Sequence, residues 1–152
     1  MESSFSFRKY SGWIILGVLV LLALWVIGSY NSLVRLNEDV KTKQSNVEVQ
    51  YERRFALIPN LEASVRGIFS QEQKIFGDLA DARSRYSGTQ AGTPGRVDAI
   101  NQVESSLARL LVVVENYPQL RSSENVTRLM DELAGTENRI AVERERYNET
   151  VN

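Results

Sequence analysis

Two hydrophobic patterns divide this chain. Between residues 13 and 27 it reads WIILGVLVLLALWVI, fifteen residues without a charge, and the uncharged stretch runs from residue 10 to residue 34 before Arg35 ends it. At a rise of about 1.5 Å per residue, a helix from Tyr10 to Tyr30 covers about 30 Å, the thickness of a bilayer's hydrocarbon. Tyr10 and Trp13 mark one interface and Tyr30 the other, with Trp25 inside the same span, as amphipathic rings do where one side is wet and the other apolar. The pattern predicts a membrane anchor over residues 10–30 behind a short polar start, 1–9. A cleaved signal peptide is the alternative, since Arg8 and Lys9 precede the run and Val26-Ile27-Gly28 offers a small residue. Against cleavage, the uncharged run continues past Gly28 and Trp25 is bulky for a position so close to a cut.

Beyond the anchor the apolar residues spread out to helical spacing. Leu33, Leu36, Val40, Val47, Tyr51, Phe55 and Ile58 share one helical face, which predicts a first helix over about 31–58 that Pro59 ends, with Asn60 capping the next. Leu61, Val65, Ile68, Phe69, Ile75, Phe76 and Leu79 predict a second over about 60–86. Residues 87–95, SGTQAGTPG, form a loop, and Thr93 before Pro94 suits a helix start with proline at the first position. A third helix, about 94–116, carries Val97, Ile100, Val103, Leu107, Leu110, Leu111 and Val114 and stops at Tyr117-Pro118. Ser122 or Ser123 caps a fourth, about 123–151, with Val126, Leu129, Met130, Leu133, Ile140 and Tyr147 facing inward.

Helices that are apolar on one stripe bury those stripes against one another, and short connections favour antiparallel neighbours. The expected architecture is therefore all-α: a single N-terminal transmembrane helix followed by an elongated antiparallel, up-and-down four-helix bundle over residues 31–152. That length supports one modest core.

Composition removes whole classes of chemistry. The chain has no histidine and no cysteine, which excludes thiol nucleophiles, Ser-His triads, disulfides and the usual zinc sites. No catalytic residue, metal ligand or cofactor is expected, and the chain reads as a non-enzyme. It carries 18 Lys+Arg against 19 Asp+Glu, and taking away Arg8, Lys9 and Glu2 leaves 16 against 18 behind the anchor, alternating in sign. Such a surface lacks the basic stripe that nucleic acid needs. No small-molecule substrate is expected either.

One constellation stands out. Residues 135–139, GTENR, interrupt the apolar stripe of the last helix, and Glu137 lies four after Leu133 and three before Ile140, which predicts a carboxylate facing inward or near it. Arg53 and Arg54, far along the first helix, are its candidate partners, either as a buried ion pair that sets register or as a partner or ligand site. Gly135 costs about 1 kcal/mol against alanine in mid-helix, and close helix packing is the expected reason.

These motifs resemble the LemA family of bacterial membrane-anchored helical proteins. The resemblance rests on Tyr30-Asn31-Ser32-Leu33-Val34 after the anchor, the run from Val49 through Arg53-Arg54-Phe55 to Leu57-Ile58-Pro59-Asn60-Leu61, and Ala82-Arg83-Ser84. It continues with Leu107-Ala108-Arg109-Leu110-Leu111, Val114-Glu115-Asn116-Tyr117-Pro118 and Gly135-Thr136-Glu137-Asn138-Arg139-Ile140-Ala141, then Arg146-Tyr147-Asn148. It departs at Ser70-Gln71-Glu72, where relatives often carry a histidine, and in a last helix that relatives extend into a tail. The resemblance implies an up-and-down helical domain at the cytoplasmic membrane without an established enzyme activity. Relatives are similar to contributors to membrane or organelle biogenesis, magnetosome formation included, or to partners of membrane proteases and envelope signalling systems.

The expected role is a scaffold or adaptor for other membrane proteins, held in the lipid bilayer of the cytoplasmic (inner) membrane, with self-association as a further expectation. The alternative is a membrane-tethered sensor or regulatory subunit binding near Glu137, Arg53 and Arg54. Arg8 and Lys9 before the anchor lean the domain toward the exterior or periplasm, whereas the family has commonly been placed with its domain inside.

Overall fold

The computed structural model describes residues 7–67 and 73–152, and among them every regular element is a helix. The expected core positions Ile68 and Phe69, and the departure at Ser70-Gln71-Glu72, lie outside the described residues, as does the side chain of Tyr10. Five helices follow in order: α1, Phe7–Val65; α2, Gln73–Gly88; α3, Pro94–Asn116; α4, Pro118–Arg121; and α5, Glu124–Val151. The chain divides into two compact units, Met1–Lys41 and Thr42–Asn152.

The first unit is the apolar stretch of α1. Every residue from 12 to 39 is exposed, Trp13, Trp25 and Tyr30 among them. A helix that is apolar on all sides and buries none of them against protein has lipid as its natural solvent. Leu33 and Leu36, expected to open the core stripe of the domain, are exposed as well, so the packed unit begins at Thr42 and not at residue 31.

In the second unit the 3.6-residue period takes over. Phe55, Ile58, Leu61 and Val65 of α1 meet Phe76, Leu79, Ala82 and Tyr86 of α2, the buried face of α3 from Ala99 to Val114, and Val126, Leu129 and Leu133 of α5 in one core. Pro59 does not end the helix. It is exposed inside α1, and Asn60, expected as a cap, lies in mid-helix. Proline in a helix interior costs about 3 kcal/mol. Ile58, Leu61 and Val65 around it are fully buried, and at about 1.5–3 kcal/mol each their burial outweighs that cost.

The loop after α2 behaves as its sequence suggests. Thr93 accepts the Arg96 backbone N–H through its side chain, and Pro94 occupies the first turn of α3. Gly92 has a φ of 78° and the Gln44 side chain presses on it, 2.8 Å from where a Cβ would stand. Glycine alone takes that conformation without strain. After Tyr117 the chain forms the four-residue α4, unforeseen in the sequence, which drives Leu120 into the core. Ser123 precedes α5 without a side-chain cap.

Contacts fix the helix directions inside this unit. From Glu48 to Arg54 on α1, partners on α3 rise from Arg96 to Glu104, while partners on α5 fall from Arg144 to Leu133. Asp78 faces Arg109 and Arg85 faces Gln102, so α2 and α3 run antiparallel. Gly135 is not a close packing point: a Cβ there would meet only the flexible end of Arg139 at 3.6 Å.

Candidate functional site

Two buried arginines organise the polar interior of the packed unit. Arg54 stands on the same face of α1 as Phe55 and Ile58, and its side chain is only 8% exposed. Its Nε donates to Glu104 Oε1 at 2.9 Å and its Nη2 to Glu104 Oε2 at 3.1 Å, a two-point fork onto α3. Nη1 donates to the Leu133 carbonyl at 2.7 Å and reaches the Thr136 hydroxyl at 3.4 Å on α5. One guanidinium therefore ties three helices together.

Glu137 completes the pattern from outside. Its Oε2 lies 2.9 Å from Arg54 Nη2, but the side chain is 59% exposed. Glu137 thus stands near the inner face and paired with Arg54 but not buried, and the buried reading is corrected: Thr136 is the buried residue. The α5 stripe Val126, Leu129, Leu133, Thr136, Ile140 advances by three and four in turn, so the seam passes through 136 and leaves 137 on its rim. The Thr136 hydroxyl is satisfied by its own helix, donating to the Leu133 carbonyl at 2.7 Å. Arg53 is exposed and takes no part in the cluster.

Burial raises the Glu104 carboxyl above its ordinary range; Arg54 works against that shift and the nearby Glu137 charge adds to it. Two carboxylates thus share one guanidinium. The forked geometry makes the Arg54–Glu104 contact strong for an ion pair, whereas the exposed Glu137 contact adds little.

The second centre lies where α3 begins. Arg96 is buried and its guanidinium stacks 3.3 Å from the centroid of the Tyr86 ring. Its Nε and Nη2 meet Glu48 Oε1 on α1, and Nη1 donates to the Tyr86 carbonyl and, at 3.3 Å, to the Thr89 carbonyl. The Tyr86 hydroxyl donates to the same Glu48 oxygen at 3.0 Å. Burial, then the charge of Glu48, pushes the Tyr86 phenol far above its ordinary value. Phe55 meets the Tyr86 ring edge-on at 4.8 Å, joining this centre to the apolar core.

Sequence reasoning found Arg54 and missed Glu104, Thr136, Glu48, Arg96 and Tyr86. Only Thr136 had a usable signal, the unbroken three-four repeat through α5. Arg96 and Tyr86 reach Glu48 across 48 and 38 residues, and Arg54 reaches Glu104 across 50, with no motif to announce them. Chemically, each centre uses its donors and acceptors to hold helices at a fixed height. Among the described residues no group of acidic side chains is arranged to hold a metal ion.

Residues 43–152 match the LemA family. The chain is 31% identical to Magnetosome protein MamQ 2 of Paramagnetospirillum magneticum over 146 aligned residues, covering 78% of this chain and 53% of that protein. Magnetosome protein MamQ of Magnetospirillum gryphiswaldense is 30% identical over the same shares. Protein LemA of Metamycoplasma hominis is 23% identical over 122 residues, 80% of this chain and 56% of that protein. The chain spans about half the length of the curated relatives it matches.

Proposed function

The chain belongs to the LemA family, and from that premise we propose that it is a non-enzymatic scaffold or adaptor, anchored in the cytoplasmic membrane, that assembles other membrane proteins around its helical domain. The observation that carries this reading is how the buried polar groups are used. Arg54 and Arg96 spend their donors on Glu104, Glu48 and backbone carbonyls, as a rigid platform requires and as a centre that must bind and release substrate does not. The anchor concentrates the domain at the bilayer, where a membrane-protein partner is already confined to two dimensions. Relatives named as magnetosome proteins support a role in membrane-associated assembly.

A sensor that binds at Arg53, Arg54 and Glu137 has less support. Arg54 is already committed to α3 and α5, Arg53 points away, and Glu137 faces solvent.

Photo-crosslinking in native membranes tests the scaffold role. A crosslinking side chain at exposed Val112 or Val142 is expected to trap a defined membrane protein or a second copy of the chain. Capture of lipid alone at every exposed position contradicts the reading. The side of the membrane is tested in parallel, because the natural chain has no cysteine. Gly88→Cys labelled by a membrane-impermeant maleimide in intact cells places the domain outside, as the charges beside the anchor favour, and labelling only after lysis places it inside.

A further inference from the structure

A groove lies between α1, the start of α3 and the end of α5, with the Arg96–Glu48 tie in its wall. It is an open cavity of about 680 Å3, and all its walls belong to the unit Thr42–Asn152. Ligand sites fall between about 300 and 1,000 Å3. Val47 and Tyr51 line it from α1, Pro94 and Val97 from α3, and Tyr147 from α5. Val97 is 56% exposed, an apolar side chain left uncovered among the described residues. The walls are braced: Gln44 packs on Gly92 at one edge, and Arg96 is locked to Glu48 and Tyr86 behind.

The two arginines of the groove differ in what they have left to give. Arg96 is buried and neutralised by Glu48. Arg144 is exposed at the rim beside Tyr51, whose hydroxyl is a neutral group, and among the described residues no ion pair joins it to a carboxylate. Asp98 also borders the groove, but it lines the cavities on the α2 side as well and so sits on the ridge between them. An uncompensated guanidinium above an apolar floor favours an anion with an apolar body. Glu143 and Glu145 flank Arg144 in sequence and weigh against a dianion such as a phosphomonoester.

We propose that this groove binds an amphipathic carboxylate, its head on Arg144 and the Tyr51 hydroxyl and its acyl or aromatic body over Val47, Val97 and Tyr147. The amide of Asn148 at the rim offers the second carboxylate oxygen a neutral donor. The Tyr51 hydroxyl feels the Glu104 and Glu137 charges of the Arg54 centre, although neither residue lines the groove, and the site and the scaffold role can each hold without the other.

The test uses the full chain in lipid nanodiscs with 4-benzoylbenzoate, a carboxylate whose benzophenone attaches covalently on irradiation, the attachment mapped by peptide mass spectrometry. Attachment is expected within residues 44–51, 94–101 or 144–148, and a neutral 4-methylbenzophenone is expected to show no enrichment there. Arg144→Gln and Val97→Asp, both at exposed positions, should each cut attachment at least tenfold with the helical circular dichroism unchanged. If one variant unfolds, the other decides. Competition by decanoate identifies an acyl source and competition by 4-phenylbenzoate an aromatic one. Competition by neither, attachment spread along the chain, or attachment unchanged in the folded variants overturns the proposal.

Discussion

The helix α1 carries two opposite solutions to the same problem. In residues 12–34 its apolar side chains point in every direction and none is buried; in residues 42–65 they narrow to one stripe, and Phe55, Ile58, Leu61 and Val65 along it are almost wholly enclosed by protein. Hydrophobicity is common to both stretches. What differs is angular distribution, and with it the solvent each stretch demands: hydrocarbon all round for the first, a packed core along one side and water along the other for the second. Polar chemistry follows the same division. The first stretch spends no charge between Trp13 and Ile27, whereas the second carries Glu48 and Arg54, each bonded across to another helix.

The largest effect comes from breaking the first solution. Leu21→Arg with Leu24→Arg puts two guanidinium groups at the middle of the apolar run, at about 2.5–3.5 kcal/mol each. The double variant is expected to lose most of its membrane fraction on centrifugation while the circular dichroism of its domain persists. Breaking the second solution acts on folding instead. Arg54→Ala leaves Glu104, the Leu133 carbonyl and Thr136 without their shared donor, and denaturant titration should show a loss of about 3–5 kcal/mol.

The phenol of Tyr86 gives a pH signature that only the packed unit can have. Its folded pKa is raised above an ordinary 10.0 by burial and by Glu48. The folded state therefore holds its proton where the unfolded state has lost it, so this contribution to stability is complete below pH 10 and is lost as pH climbs. Thermal melts of the native chain should fall steeply above about pH 10, and Tyr86→Phe should flatten that fall. Smaller effects separate the Arg54 cluster from its rim. Glu137→Gln should cost under about 1 kcal/mol because the pair is half in water, and Arg53→Gln under about 0.5 kcal/mol. Gly135→Ala, with open space for its methyl, should add about 0.5–1 kcal/mol, read as a small rise in Tm.

Legibility in the sequence tracks how local the cause is. The anchor, the Thr93-Pro94 start of α3 and the stripes of α3 and α5 are set by neighbours within a few turns, and all are visible in the residue spacing. Pro59 misled because its local cost is large and the burial that outweighs it belongs to the whole core. At Glu137 the spacing is ambiguous by one position, since 136 and 137 both fall near the seam and only the three-four repeat through Leu133, Thr136 and Ile140 separates them. Leu33 and Leu36 fit the helical face but belong to the unit Met1–Lys41 and are exposed, so spacing alone overextends the stripe. The partners Arg54–Glu104 and Arg96–Glu48 join residues about fifty apart, and spacing alone cannot choose among the many charges on each helix.

The two halves of α1 also supply the most direct test. Leu21 and Val112 are similarly exposed in the structure, 68% and 57%, yet the account assigns one to lipid and the other to water. Single cysteines at these positions, each the only thiol in its chain, should be challenged with a hydrophilic maleimide in membranes opened so that both faces are reached. Val112→Cys labelled promptly and Leu21→Cys labelled only after detergent is the predicted result. Equal labelling of the two without detergent would contradict a membrane-anchored domain and remove the basis for the scaffold role.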